Sequence, residues 1–205
     1  MRTFVCDVCG SRIAFENFSC LNCGSALAFS VSARRVVAYD PTQAGPRGQG
    51  ERPCRNQQIA ACNWLAAEGS PDGLCLSCQL TRTRPDDSEV EVRPAFVRAE
   101  AAKRRLVHQL LDLGLPVVSW MADRENGLAV DLLSSRDRSV VTGHADGVIT
   151  LDLAEGDDPH REAVRVELGE AYRTLLGHLR HESGHYYWEL LTGGPEYLRV
   201  PGPVR

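Results

Sequence analysis

Apolar residues recur at helical spacing between residues 96 and 113: Phe96, Val97, Ala101, Leu106, Val107, Leu110 and Leu111. Gly114 and Pro116 close the run, so the pattern predicts one helix. Lys103-Arg104-Arg105 lies within it and reads as a solvated helix face. Beyond the turn dipeptide Asn126-Gly127, residues 128–133 predict a strand. Residues 139–142 and 148–153 predict two more, joined through Asp146-Gly147 as an antiparallel hairpin. Asp157-Asp158-Pro159 opens a helical stretch to Leu168. A last helix is expected from about Ala171, with Tyr172, Leu175, Leu176, Leu179, Tyr186 and Leu190 on its buried side. Gly193-Gly194-Pro195 stops it. A helix, a small sheet and two further helices make an α+β domain.

The first third of the chain reads differently. All eight cysteines lie between Cys6 and Cys78. Cys6, Cys9, Cys20 and Cys23 form two CxxC pairs, each followed by glycine (Gly10, Gly24), where a knuckle needs a tight turn. Phe4, Phe15, Phe18 and Phe29 flank these knuckles and are expected to form a small core. Four cysteines so spaced predict a structural zinc ribbon. Cys54, Cys62, Cys75 and Cys78 form a second quartet that is expected to hold a second zinc. Its wide first pair points to a loop rather than a hairpin, with Asn63-Trp64-Leu65-Ala66 covering the site. Residues 40–50, rich in glycine and proline, predict a surface loop. The charged stretch after Cys78 predicts a boundary. The expected division is a ribbon region 1–82, a linker 83–95 and an α+β domain 96–205.

The last helix carries the chemistry. His181-Glu182-Ser183-Gly184-His185 is an HExxH sequence. Histidines four apart on a helix project about 40° apart, close enough to hold one zinc ion. Glu182 between them fits a general base acting on zinc-activated water. His178 lies near the same stripe, but it spans roughly 10 Å of axis with His185 and cannot readily share the ion. It is read as a supporting or core histidine. His178, His144 and Tyr186 are the candidates for supporting the metal or contacting substrate. The expected cofactors are two structural zinc ions and one catalytic zinc. The expected partner is a peptide or protein substrate, held by strand addition along residues 148–153 as an edge strand.

Composition narrows the classes. With 205 residues and 43% apolar content, the chain can build one sizeable domain plus small modules. A net charge of −4 and scattered arginines (Arg34, Arg35, Arg47, Arg52, Arg55) lack the basic stripe of a nucleic-acid surface. No apolar run approaches the roughly 20 residues that cross a membrane. The start lacks the apolar core of a signal peptide. CxxC pairs in a reducing compartment read as metal ligands, so the expected location is the cytoplasm. The competing class is a non-catalytic zinc-ribbon module that binds a protein or a nucleic acid.

The segments FVCDVCGSRIAFENFSCLNCGSALAF, CRNQQIAACNWL, CLSCQLT, EAAKRRLVHQLLDLGLPV, TGHADGVITLDLAE and EAYRTLLGHLRHESGHYYWELL occur in that order. In these the chain resembles the bacterial zinc-binding metallopeptidase family with an N-terminal zinc-ribbon region. The resemblance implies a zincin-like domain behind zinc-ribbon modules. It also implies a segment beyond the metal helix that carries the third zinc ligand. Leu191 stands where an HExxHxxGxxH protease has its third histidine, Glu189 is about 12 Å along the axis from His181, and Glu196 lies past the double glycine. On this reading the chain is C-terminally truncated.

Overall fold

A computed structural model describes residues 3–42, 50–135, 140–167, 169 and 173–193. It divides into two compact units, Met1–Gln79 and Leu80–Arg205.

In the first unit, strands β1 (Phe4–Val5) and β2 (Arg12–Ile13) form a short antiparallel hairpin whose turn carries Cys6 and Cys9. Cys20 and Cys23 sit in the turn before β3 (Ala26–Ser30), which pairs antiparallel with β4 (Arg35–Tyr39). β5 (Arg52–Pro53) and β6 (Leu65–Ala66) are the antiparallel arms of the wide loop bearing Cys54 and Cys62. Cys75 and Cys78 bracket the start of a one-turn helix, α1 (Leu76–Gln79). Trp64 does more than cover the second quartet: it is buried against Phe29, ring centroids 4.7 Å apart, with Phe15 at 6.2 Å. Phe18, expected in this core, is 42% exposed; a separate small cluster of Ala28, Val37 and Leu65 has Ala33 and Tyr39 packed against it. Residues 43–49 of the expected surface loop lie outside those described.

The second unit begins with β7 (Thr81–Thr83), so residues assigned from sequence to the ribbon's tail and linker are a strand of the following sheet. The helix α2 (Arg93–Asp112) starts inside the expected linker, with Pro94 in its first turn, where a missing N–H costs nothing. Next come β8 (Ala129–Leu133), β9 (Gly143–Ala145) and β10 (Val148–Asp152). A short 3-10 turn (Leu153–Gly156), α3 (Asp158–Glu167) and α4 (Leu175–Thr192) complete the unit. The mixed helix and sheet content bears out the α+β class.

The sheet order is β7-β8-β10-β9, parallel between β7, β8 and β10 and antiparallel between β10 and β9. Central β8 and β10 bury Val130, Leu132, Ile149 and Leu151, and α4 packs on α2 and along β9 and β10. The hairpin expectation holds, with both turn residues at positive φ (Asp146 48°, Gly147 76°), the conformation a two-residue Asp-Gly turn demands. Its first strand lies later than expected. Residues 140–142 are not in a strand, β9 covers 143–145, and Ser139 lies outside the described residues. The turn sets the register, and β9 pairs only as far as Gly143 opposite Thr150.

Two further expectations are corrected. The strand at 148–153 is interior; among the described residues the sheet's edge on that side is β9. The basic cluster of α2 is not a solvated face: Lys103 and Arg104 are buried and only Arg105 is exposed. Lys103 is matched by Glu100 one turn earlier and by Thr81 of β7, partners that helical periodicity does not show.

Gly127 enters β8 through a gap too narrow for a side chain. A Cβ there would stand 2.4 Å from the Asp123 carbonyl oxygen and 2.5 Å from that of Ser119. Gly127→Ala is therefore expected to destabilise the second unit by about 1–3 kcal/mol through forced backbone movement. Urea denaturation measures it, and an unchanged midpoint refutes it.

Candidate functional site

The first metal centre follows from two identical turns. The Gly10 amide donates to the Cys6 carbonyl and the Gly24 amide to that of Cys20, both at 2.8 Å. Both glycines take the left-handed conformation (φ 73° and 74°). The paired knuckles bring the Sγ atoms of Cys6 and Cys23 to 3.7 Å and those of Cys9 and Cys20 to 3.6 Å. Four sulfurs placed tetrahedrally about 2.3 Å from one zinc lie roughly 3.8 Å apart, so the donor set fits that ion. Hydrogen bonds from Ser11 and Asn22 hold the Cys9 thiol down at about 5, ready to bind as thiolate.

The second quartet reaches the same geometry from a different frame. Sγ atoms of Cys62 and Cys75 are 3.6 Å apart and those of Cys78 and Cys62 3.8 Å, and all four residues are buried. The Cys75 amide donates to Cys54 Sγ at 3.3 Å. Hydrogen bonds from Cys62, Cys75 and Cys78 push Cys54 far below the ordinary thiol range, whereas burial pushes Cys75 well above it. Without a cation the quartet shares its protons; a zinc ion replaces them.

The HExxH segment lies in the middle of α4. Thr174 caps the helix, its hydroxyl accepting from the Gly177 amide at 2.9 Å, and Gly193 ends it at φ 73°. Ala171 and Tyr172, expected in its first turn, and Gly194 and Pro195 of its stop lie outside the described residues. Two tyrosines fix its rotation: Tyr186 donates to the Asn126 carbonyl and Tyr187 to that of Pro116, each at 2.8 Å. Burial raises both phenols above their ordinary range, keeping them protonated donors. That face is inward, which turns His181 and His185 outward, while Glu182 is only 8% exposed.

The Nε2 atoms of His181 and His185 are 3.2 Å apart. Two nitrogens about 2.05 Å from one zinc at a tetrahedral angle lie roughly 3.3 Å apart, so the pair fits the ion as it stands. Among the described residues no third His, Cys, Asp or Glu completes a three-ligand group with them.

A cavity of about 450 Å³ adjoins this pair, lined by Thr142, Arg173, Thr174, Gly177, His178, His181 and Glu182. Sequence reasoning placed His178, His181 and Glu182 near one another but missed the rest. Thr174 was legible as a helix cap, whereas Arg173 carried no signal. Arg173 forks onto buried Glu155 at 2.9 and 2.5 Å, and His178 Nε2 lies 3.8 Å from the same carboxylate. His144, from β9, lies beside His185, ring centroids 6.4 Å apart.

Residues 92–199, more than half of the chain, match the family described as "Putative zinc-binding metallo-peptidase". The chain belongs to that family. Residues 3–89 match a zinc-ribbon domain, so a zinc-ribbon region precedes the metallopeptidase region. Uncharacterized proteins of Mycobacterium bovis and Mycobacterium tuberculosis are each 51% identical over 201 residues. The match covers 97% of this chain and spans 57% of each relative's length. No solved structure matches. Zinc binding is thus supported by both families and by the two cysteine clusters. Among the described residues no helix is long and apolar enough to cross a membrane.

Proposed function

We propose that the second unit carries the metal helix of a zinc-dependent peptidase and that the ribbon quartets hold two structural zinc ions. One observation carries the first part: His181 and His185 present Nε2 atoms 3.2 Å apart, and His181 and Glu182 line one cavity. Zinc at that pair supplies a Lewis acid that polarises the scissile carbonyl and lowers the pKa of water to about 7. Glu182 is buried, and no described residue forms a hydrogen bond with its carboxylate, so it is available as a base. It takes the proton from the attacking water and returns it to the leaving nitrogen as the C–N bond breaks. The substrate is an extended peptide or protein segment laid along β9, the edge strand that packs against α4. Eight unlinked cysteines favour a reducing compartment, the cytoplasm.

The test is Glu182→Gln in zinc-loaded protein assayed on a quenched fluorescent peptide library. Hydrolysis should fall by about 10²–10⁴-fold with zinc content unchanged. Activity equal to wild type rejects Glu182 as the base. A wild-type chain that binds zinc and hydrolyses nothing supports the other reading, a non-catalytic ribbon module. Steep weakening of its binding with salt would then mark a nucleic-acid partner.

A further inference from the structure

Three side chains besides the HExxH residues surround the histidine pair, and the structure separates their roles. The Tyr186 hydroxyl is engaged by the Asn126 carbonyl. His178 is turned toward Glu155, which Arg173 holds in place. His144 is different. Its Nε2 is buried and has no hydrogen-bond partner among the described residues, although native proteins pair nearly all such atoms.

The surroundings of His144 point to what pairs it. In the β9–β10 ladder it stands opposite Ile149, so it shares the face on which that side chain is buried. Its ring is nearly parallel to that of His185, planes 10° apart, and edge-on to Tyr186 at 6.3 Å. It does not join His181 and His185 in a three-ligand group. Two residues earlier on the same segment, Thr142 lines the cavity shared with Glu182. His144 therefore borders the metal helix without being a ligand, with a buried ring nitrogen unused.

We propose that His144 Nε2 donates a hydrogen bond to an anionic oxygen ligand, a carboxylate or hydroxamate, seated at the His181–His185 pair. This deepens the peptidase reading, and rests on it, by naming the residue that recognises the oxygen-bearing group. A ring N–H bonded to an oxyanion is a charge-assisted contact, stronger than its neutral counterpart.

The test uses the full chain supplied with one equivalent of zinc beyond what the cysteines hold, titrated with acetohydroxamate by calorimetry. His144→Ala should weaken acetohydroxamate about tenfold, ~1.4 kcal/mol, while competition with a chromophoric chelator shows zinc affinity at the histidine pair unchanged. His144→Gln, which keeps an N–H donor, should recover part of the loss. In wild type the ¹⁵N resonance of His144 Nε2 should move on acetohydroxamate addition. Equal affinities with an unmoved resonance overturn the proposal. So does a parallel loss of zinc, which would make His144 a ligand. If the alanine variant does not fold, the glutamine variant and the wild-type resonance decide. A wild type that takes up no zinc beyond its cysteines rejects the metal-helix reading itself, and with it the proposal.

Discussion

Replacing Cys75 by serine should unfold the first unit, with loss of both cysteine-bound zinc ions and of the near-ultraviolet circular dichroism of Trp64. The expectation follows from how little else holds residues 1–79. Four of its six strands are two residues long, and its apolar packing centres on the rings of Phe15, Phe29 and Trp64 and a small group of Ala28, Val37 and Leu65 with Ala33 and Tyr39 against it. A core of that size does not offset the conformational entropy of folding, and small modules of this kind depend on metal. A four-cysteine zinc contributes about 10–16 kcal/mol of apparent binding energy that is at the same time folding energy. Cys75 is fully buried, and its amide also donates to Cys54, so the change strikes sulfur geometry and backbone together. Cys23, by contrast, is exposed, and Cys23→Ser should release the first zinc while Trp64 keeps much of its packing. Zinc content by mass spectrometry and the dichroism of both variants are the measurements. A Cys75→Ser protein with full zinc content and native dichroism would reject a metal-dependent fold.

What could be read beforehand was whatever depends on neighbours in sequence. The CxxCG knuckles, the Asp146-Gly147 turn and the HExxH pair are local devices, and each appears where its spacing places it. The paired histidines are brought onto one helix stripe by their i,i+4 spacing, and their rotamers then set the Nε2 atoms 3.2 Å apart. Strand order is not local. Nothing in residues 148–153 shows that β9 lies outside β10, and so which strand could receive a peptide was legible only in the sheet. The same holds for His144 and His185, which meet because a hairpin and a helix pack together. Arg173 and Glu155 flank α3, and no spacing rule joins them.

The buried charges of α2 were the least legible feature, and they set the second large effect. Lys103 and Glu100 are 0% and 1% exposed, with Nζ and Oε1 2.7 Å apart. Thr81 of β7 donates to the same carboxylate oxygen at 2.6 Å and accepts from the lysine. Arg104 lies 4.0 Å from the other oxygen. A run of three basic residues on a helix ordinarily faces water, because taking an ammonium group out of water costs several kcal/mol. Here the cost is met by one glutamate that is itself hidden, so neither partner can be lost alone. Glu100→Leu should destabilise the second unit by about 3–5 kcal/mol, because it leaves the Lys103 ammonium buried without its counter-charge. Lys103→Met alone should also destabilise, by stranding the Glu100 carboxylate. The double change Glu100→Leu with Lys103→Met should cost far less than the sum, since an apolar pair of similar volume needs no compensation. Guanidinium unfolding of the four proteins closes the cycle. Additive losses would show that the two charges do not depend on one another. Because α2 packs directly against α4, loosening this cluster should also weaken zinc at His181 and His185 while leaving the cysteine-bound zinc in place.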